Sequence, residues 1–145
     1  MEVNKKRVAD LLSHLDGRVQ LLKTLRVGSP SDLEKNEERF CALKNILYEA
    51  VMDVIKIGQH IIAALQLEKP QTYRDVLRIL GENNIVPEEL FKRIQRMGGF
   101  RVILAHEYES IDRETVYKLH LRTKDFEEFI YNINKFLEKA SQKLR

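Results

Sequence analysis

Apolar residues recur at three- and four-residue spacing along almost the whole chain, and no stretch alternates with a period of two. That periodicity predicts amphipathic helices and no sheet. Val8, Leu11, Leu12, Leu15, Val19, Leu22 and Leu25 form a first stripe, which breaks at Gly28-Ser29-Pro30. Ser31, with Glu34 three residues on, has the pattern of a capping box and predicts the start of a second helix. From Phe40 through Leu43, Leu47, Val51, Val54, Gly58 and Ile61 the spacing persists, so one long helix is expected to about Leu65. Its neighbouring stripe carries Asp53 and His60 among apolar residues, about 10 Å apart along the axis.

The second half reads as shorter helices. Thr72 caps one through Leu80, and Pro87 starts another to about Met97. Gly98-Gly99 precedes an apolar run from Phe100 to Ala105, Asp112 caps a helix to about Leu121, and Thr123 caps the last, with a core face from Phe126 to Leu137. The expectation is an all-α bundle of five to seven helices, with the long N-terminal helices antiparallel and residues 1–145 forming a single domain.

Composition narrows the chemistry. Twenty-five basic against 22 acidic residues give a net charge of +3, a mixed surface that permits contact with a polyanion without demanding it. Cys41 is the only cysteine, which fits a reducing compartment and reads as a small buried hydrophobe. The charged opening Met1-Glu2-Val3-Asn4-Lys5-Lys6-Arg7 lacks the apolar core of a signal peptide, and no run reaches about 18 apolar residues. A cytoplasmic protein without membrane contact is expected. His14 and His120 have no carboxylate or histidine neighbours at ligand spacing, so no metal and no cofactor is expected. A phosphate-binding glycine loop, Gly-x-Ser-x-Gly, His-Glu-x-x-His, Cys-x-x-Cys and RNP-like aromatic motifs are missing from the sequence.

Within Gly99-Phe100-Arg101-Val102-Ile103-Leu104-Ala105-His106-Glu107-Tyr108, three residues have no packing purpose: Arg101, His106 and Tyr108. Arginine stabilises phosphate charge and histidine moves protons near neutral pH, the minimum equipment for phosphodiester cleavage without a metal. On an undisturbed helix Arg101 and His106 lie about 140° apart. Either the helix is distorted after Ala105, or a second copy of the chain completes the site. A plainer alternative pairs Arg101 with Asp53 or Glu107 and leaves His106 to end a helix. Asp53 and His60 could orient Arg101 or bind part of the RNA backbone, and the plainer reading of His60 is a satisfied interface histidine. Lys92, Arg93 and Arg96, just before the motif, could steer RNA or form a solvated face. The neighbouring stripe of the long helix and the apolar run at Phe100, Val102, Ile103 and Leu104 suggest leftover apolar surface that a symmetric dimer would bury.

The Arg-x4-His-x-Tyr spacing resembles the active-site signature of the HEPN superfamily, in particular its HepT-type toxins. The resemblance runs from about Phe40 to about Phe129 and includes Ile57-Gly58-Gln59-His60, Tyr73-Arg74-Asp75-Val76, Pro87-Glu88-Glu89-Leu90, Met97-Gly98-Gly99-Phe100-Arg101 and Ile111-Asp112. It implies a HEPN-like helical bundle and a homodimeric endoribonuclease toxin whose cleft is lined by motifs from both protomers. His106 would then act as general base on the ribose 2′-hydroxyl or as acid toward the leaving 5′-oxygen, with Arg101 stabilising the phosphorane. The resemblance also implies a minimal nucleotidyltransferase antitoxin as partner, which silences the toxin by transferring AMP to Tyr108. One departure stands out: Val102 occupies the position where the family usually has asparagine or another polar residue. The second reading it leaves open is a catalytically silent partner, or substrate-presenting module, of a nucleotidyltransferase.

Overall fold

Local capping decides where the helices of this chain begin. The computed structural model describes residues 3–25 and 27–143, the last three by backbone alone; Met1 and Glu2 of the charged opening lie outside them. Among the described residues there are eight α-helices, one 3-10 turn and no strand: α1 Lys5–Thr24, α2 Pro30–Lys35, α3 Glu37–Ala64, α4 Tyr73–Glu82, α5 Glu88–Arg96, α6 Gly98–Leu104, the turn Tyr108–Ser110, α7 Arg113–His120 and α8 Thr123–Lys143. No described helix is long and apolar enough to cross a membrane.

The all-α bundle is the expected one, with an eighth helix where a single long one was predicted from Ser31. Ser29 is the cap instead, with Pro30 in the first helical position, where its missing N–H costs nothing. The Asp32 carboxylate accepts the backbone N–H groups of Gly28 and Ser29 at 2.8 and 3.1 Å. This helix stops after one and a half turns because Asn36 takes an extended conformation and caps α3, accepting from the Arg39 N–H at 3.0 Å. Thr72 and Asp112 cap α4 and α7 as their positions foretell. Cys41, expected to be buried, is exposed, because Phe40, Leu43 and Leu47 turn the inner face of α3 away from it.

Three polar pairs give the sense of packing between the long helices. His14 meets Asp53, Arg18 meets Glu49, and the Asn4 N–H donates to His60 Nε2 at 3.2 Å, so numbers rise along α1 as they fall along α3. The two are antiparallel. The α1 stripe from Val8 to Leu22 is buried against α3, and α8 closes the bundle with Phe126, Phe129 and Ile133.

Helix α4 approaches α3 at Gly58, where a Cβ would lie 2.5 Å from Val76 Cγ1 and 3.0 Å from Leu80 Cδ1. The glycine is there for closeness. Gly58→Val is therefore expected to destabilise the fold by about 1–3 kcal/mol through overpacking. Gly17, mid-α1, has nothing within 4 Å of its added Cβ, and Gly17→Ala should gain up to about 1 kcal/mol of helix propensity. Urea midpoints moving in opposite directions would bear out the contrast; equal shifts would refute it.

Candidate active site

The apolar run of α6 is spent on the interior of its own protomer. Phe100, Ile103 and Leu104 are buried, and the Phe100 ring lies 6.1 Å from that of Phe126. Gly99 lets α6 lie against α7, since a Cβ there would fall 2.8 Å from Leu119 Cδ2 and 3.1 Å from Thr115 Cγ2. On α3, Leu43, Ala50, Ile57 and Ala64 of the neighbouring stripe are buried too. The expected leftover apolar surface is thus absent at these positions, because α1 and the short helices cover it. A dimer needs another argument.

With that face buried, Arg101 projects outward from α6. Among the described residues its side chain has no hydrogen bond or ion pair, so the alternative pairing with Asp53 or Glu107 does not form. Val102 is half-buried and packs against the core.

The helix ends where the sequence puts its histidine. Ala105 is the C-cap, the His106 N–H donates to the Ile103 carbonyl at 3.0 Å, and the Glu107 N–H donates to Val102 at 2.9 Å. These two bonds make a Schellman motif, whose turning residue sits in the left-handed region and is usually glycine. Here it is His106, at φ 65°. The helix is therefore distorted after Ala105, so the undisturbed-helix spacing of Arg101 and His106 does not hold. The exposed imidazole leans on Tyr73 at the start of α4, ring centroids 4.5 Å apart. Close packing at Gly58 is what carries Tyr73 to this place.

Tyr108 follows in the 3-10 turn, half-buried. Its ring rests on Tyr48 of α3 at 4.5 Å, with Lys44 Nζ 5.4 Å from its centroid. Tyr48 in turn edges a cavity of about 300 Å³ that also contains His14, Met52, Asp53 and Lys56. Asp53 is buried and its Oδ2 lies 2.5 Å from His14 Nδ1. Burial pushes the Asp53 carboxyl up from its ordinary value, while the bond to His14 pulls it down.

The expected supporting pair does not assemble around Arg101. Asp53 is committed to His14, and His60 accepts from the Asn4 backbone. Spacing along one helix could not reveal these partners on another. Lys92, Arg93 and Arg96 separate as well: Lys92 pairs with Glu88 at 3.4 Å, Arg93 with Asp125 at 2.9 Å and with Glu128, and Arg96 lines a second cavity. Tyr48, Tyr73 and His14 are the neighbours that sequence reasoning missed as site residues, although Tyr73 stood inside a recognised segment. Among the described residues no three His, Cys, Asp or Glu side chains gather as a metal site.

An exposed arginine and a histidine within hydrogen-bonding reach of solvent, flanked by stacked tyrosines, suit a phosphate-bearing ligand. Comparison with known proteins agrees with this chemistry. The mRNA nuclease HepT of Shewanella oneidensis is 34% identical over 77 residues, a match spanning 52% of this chain and 58% of that nuclease, less than two thirds of its length. The tRNA nuclease HepT of Aphanizomenon flos-aquae is 27% identical over 117 residues, 80% of each chain. In structure, the HEPN toxin of Shewanella oneidensis, tri-AMPylated and in complex with its MNT antitoxin, shares the fold with a TM-score of 0.75 at 23% identity, over 88% of this chain and 96% of that one. The profile of the ribonuclease HepT-like family matches residues 15–133, and the chain belongs to that family.

Proposed function

We propose that the chain is a metal-independent endoribonuclease toxin that works as a homodimer and is silenced by a nucleotidyltransferase antitoxin. The observation that carries this reading is the pair of exposed side chains in the motif: His106, in the turn that ends α6 at φ 65°, and Arg101, five residues earlier, which no carboxylate engages among the described residues.

In the reaction, the ribose 2′-oxygen attacks the adjacent phosphorus and the 5′-oxygen leaves. His106 takes the 2′-hydroxyl proton in one protomer or gives a proton to the leaving oxygen in the other, and Arg101 stabilises the charge of the phosphorane. The products are a 2′,3′-cyclic phosphate and a 5′-hydroxyl. A two-fold axis supplies both histidine roles from one motif. Val102 packs against the core, and the silent-module reading it leaves open predicts the same fold with no cleavage.

The switch is AMP transfer to Tyr108. Its oxygen attacks the α-phosphorus of ATP, its proton goes to base, and pyrophosphate leaves. Support comes from the Shewanella fold neighbour, which is tri-AMPylated and bound to an MNT antitoxin.

Purified protein incubated with RNA in EDTA tests the activity, with cyclic phosphate ends as the expected product; an inert preparation refutes it. Light scattering should give twice 17.1 kDa at micromolar concentration, and a monomer there removes the two-protomer mechanism.

A further inference from the structure

A cavity of about 490 Å³ opens between α5, α6, α7 and the connection into α8. Every ionisable residue in its wall is a cation: Arg93 and Arg96 from α5, Lys118 from α7, and Arg122. Their carboxylate partners stand behind them. Asp125, with 4% of its side chain exposed, accepts Arg93 Nη1 at 2.9 Å and Arg122 Nε and Nη2 at 3.1 and 3.0 Å. Glu128 holds Arg93 from the other side, and Glu114 meets Lys118 at 3.1 Å. None of the three carboxylates is part of the wall.

Taking a carboxylate out of water is weak evidence for added stability, because desolvation offsets most of the attraction. What Asp125 achieves is positional. It holds two guanidinium groups of the cavity wall, from different elements, around one carboxylate, and Arg96 in the same wall has no ion pair among the described residues. A guanidinium fork matches the oxygens of a phosphate two at a time.

The cavity is also placed along the path to the cut. Gly98 is in its wall, and Arg101 follows three residues later on the same face of α6, about 4.5 Å along the axis. Gly98 leaves the wall open, as an added Cβ would meet nothing within 4 Å.

We infer that this cavity binds a phosphodiester of the RNA strand beside the one that is cut, with Arg96, Arg122 and Lys118 as its ligands and Asp125 as the residue that positions Arg93 and Arg122. The inference rests on the ribonuclease reading and adds a subsite to it.

The test separates binding from cutting by using a fluorescent 2′-O-methyl RNA, which has no attacking hydroxyl. Arg96→Ala and Arg122→Ala should each weaken its binding about tenfold and lower the slope of log K against log salt by about 0.7. Gly98→Leu, which changes no charge and has room in the fold, should weaken binding by filling the cavity. Circular dichroism checks that each variant is folded. Wild-type affinity in all three variants overturns the inference. So does stabilisation of wild type by millimolar inorganic phosphate that the variants lose while their RNA affinity is untouched, because the cavity is then a site for small anions. If wild type fails to cut unmodified RNA, the ribonuclease reading falls, and the 2′-O-methyl binding result still decides the cavity.

Discussion

Replacing His106 by glycine is expected to abolish RNA cleavage while leaving the protein more stable than the alanine variant by about 1 kcal/mol. Two effects act at this position, and their sizes can be compared. A side chain in the left-handed region costs on the order of 1 kcal/mol, which glycine relieves and alanine does not. The ring contact with Tyr73 at 4.5 Å contributes about 0.5–1.5 kcal/mol, and both variants lose it. Glycine should therefore come out near wild type and alanine below it. Cleavage should fall by about 10²–10⁴-fold in both, the usual contribution of a general acid or base. Gln66 and Asn84 supply the control. They end α3 and α4 with the same pair of bonds, at φ 55° and 57°, so Gln66→Gly should gain stability and keep full activity. Arg101→Ala should match His106→Ala in lost cleavage without lost stability, and Arg101→Lys should not restore it, since a point charge does not replace the fork. Cleavage that survives in His106→Gly would remove histidine from the mechanism.

How far the sequence foretold these features depends on whether the cause was local. The α1 stripe, the Thr72 and Asp112 caps and the core face of α8 were legible because period and capping act within a few residues. Ser31 with Glu34 has the capping-box pattern, but the box closes earlier, on Ser29 and Asp32, with Pro30 at the first helical position. Asn36 interrupts the helix within the polar stretch between Leu33 and Phe40, where the apolar period is silent, so periodicity could not locate the split into α2 and α3. At the site, Arg101, His106 and Tyr108 could be singled out as residues without a packing purpose. Their neighbours could not. Tyr48 and Tyr73 meet the motif from other helices, and Asp125 meets Arg93 at the second cavity; only the crossing of α3 and α4 at Gly58 and the ion pairs across α5 and α8 bring these together. The left-handed turn at His106 was hidden for a related reason: glycine announces such a turn, and histidine does not.

Incubating the protein with the proposed nucleotidyltransferase antitoxin, ATP and magnesium is expected to add AMP to Tyr108 and to slow RNA cleavage by roughly 10–10³-fold, the range over which a local field alters encounter with a charged partner. The setting of Tyr108 gives the reason. Its ring is held between Tyr48 and the Lys44 ammonium, while its hydroxyl has no hydrogen bond among the described residues and so stays available for transfer. Once transferred, the nucleotide is tethered two residues beyond His106. Its phosphate adds negative charge where the RNA phosphate must sit, and Arg101 is the cation within the motif that it would engage. Mass spectrometry should find the label on the peptide containing Tyr108. Tyr108→Phe keeps the ring on Tyr48, so it should cut RNA at close to the wild-type rate and resist silencing. Tyr131 is the informative decoy, because at 61% exposure it is open to any indiscriminate transfer. Label on Tyr131 with cleavage undiminished would mean that modification is governed by exposure alone. Label on Tyr48 or Tyr73 with cleavage lost would instead place the switch on the aromatic floor beneath the site.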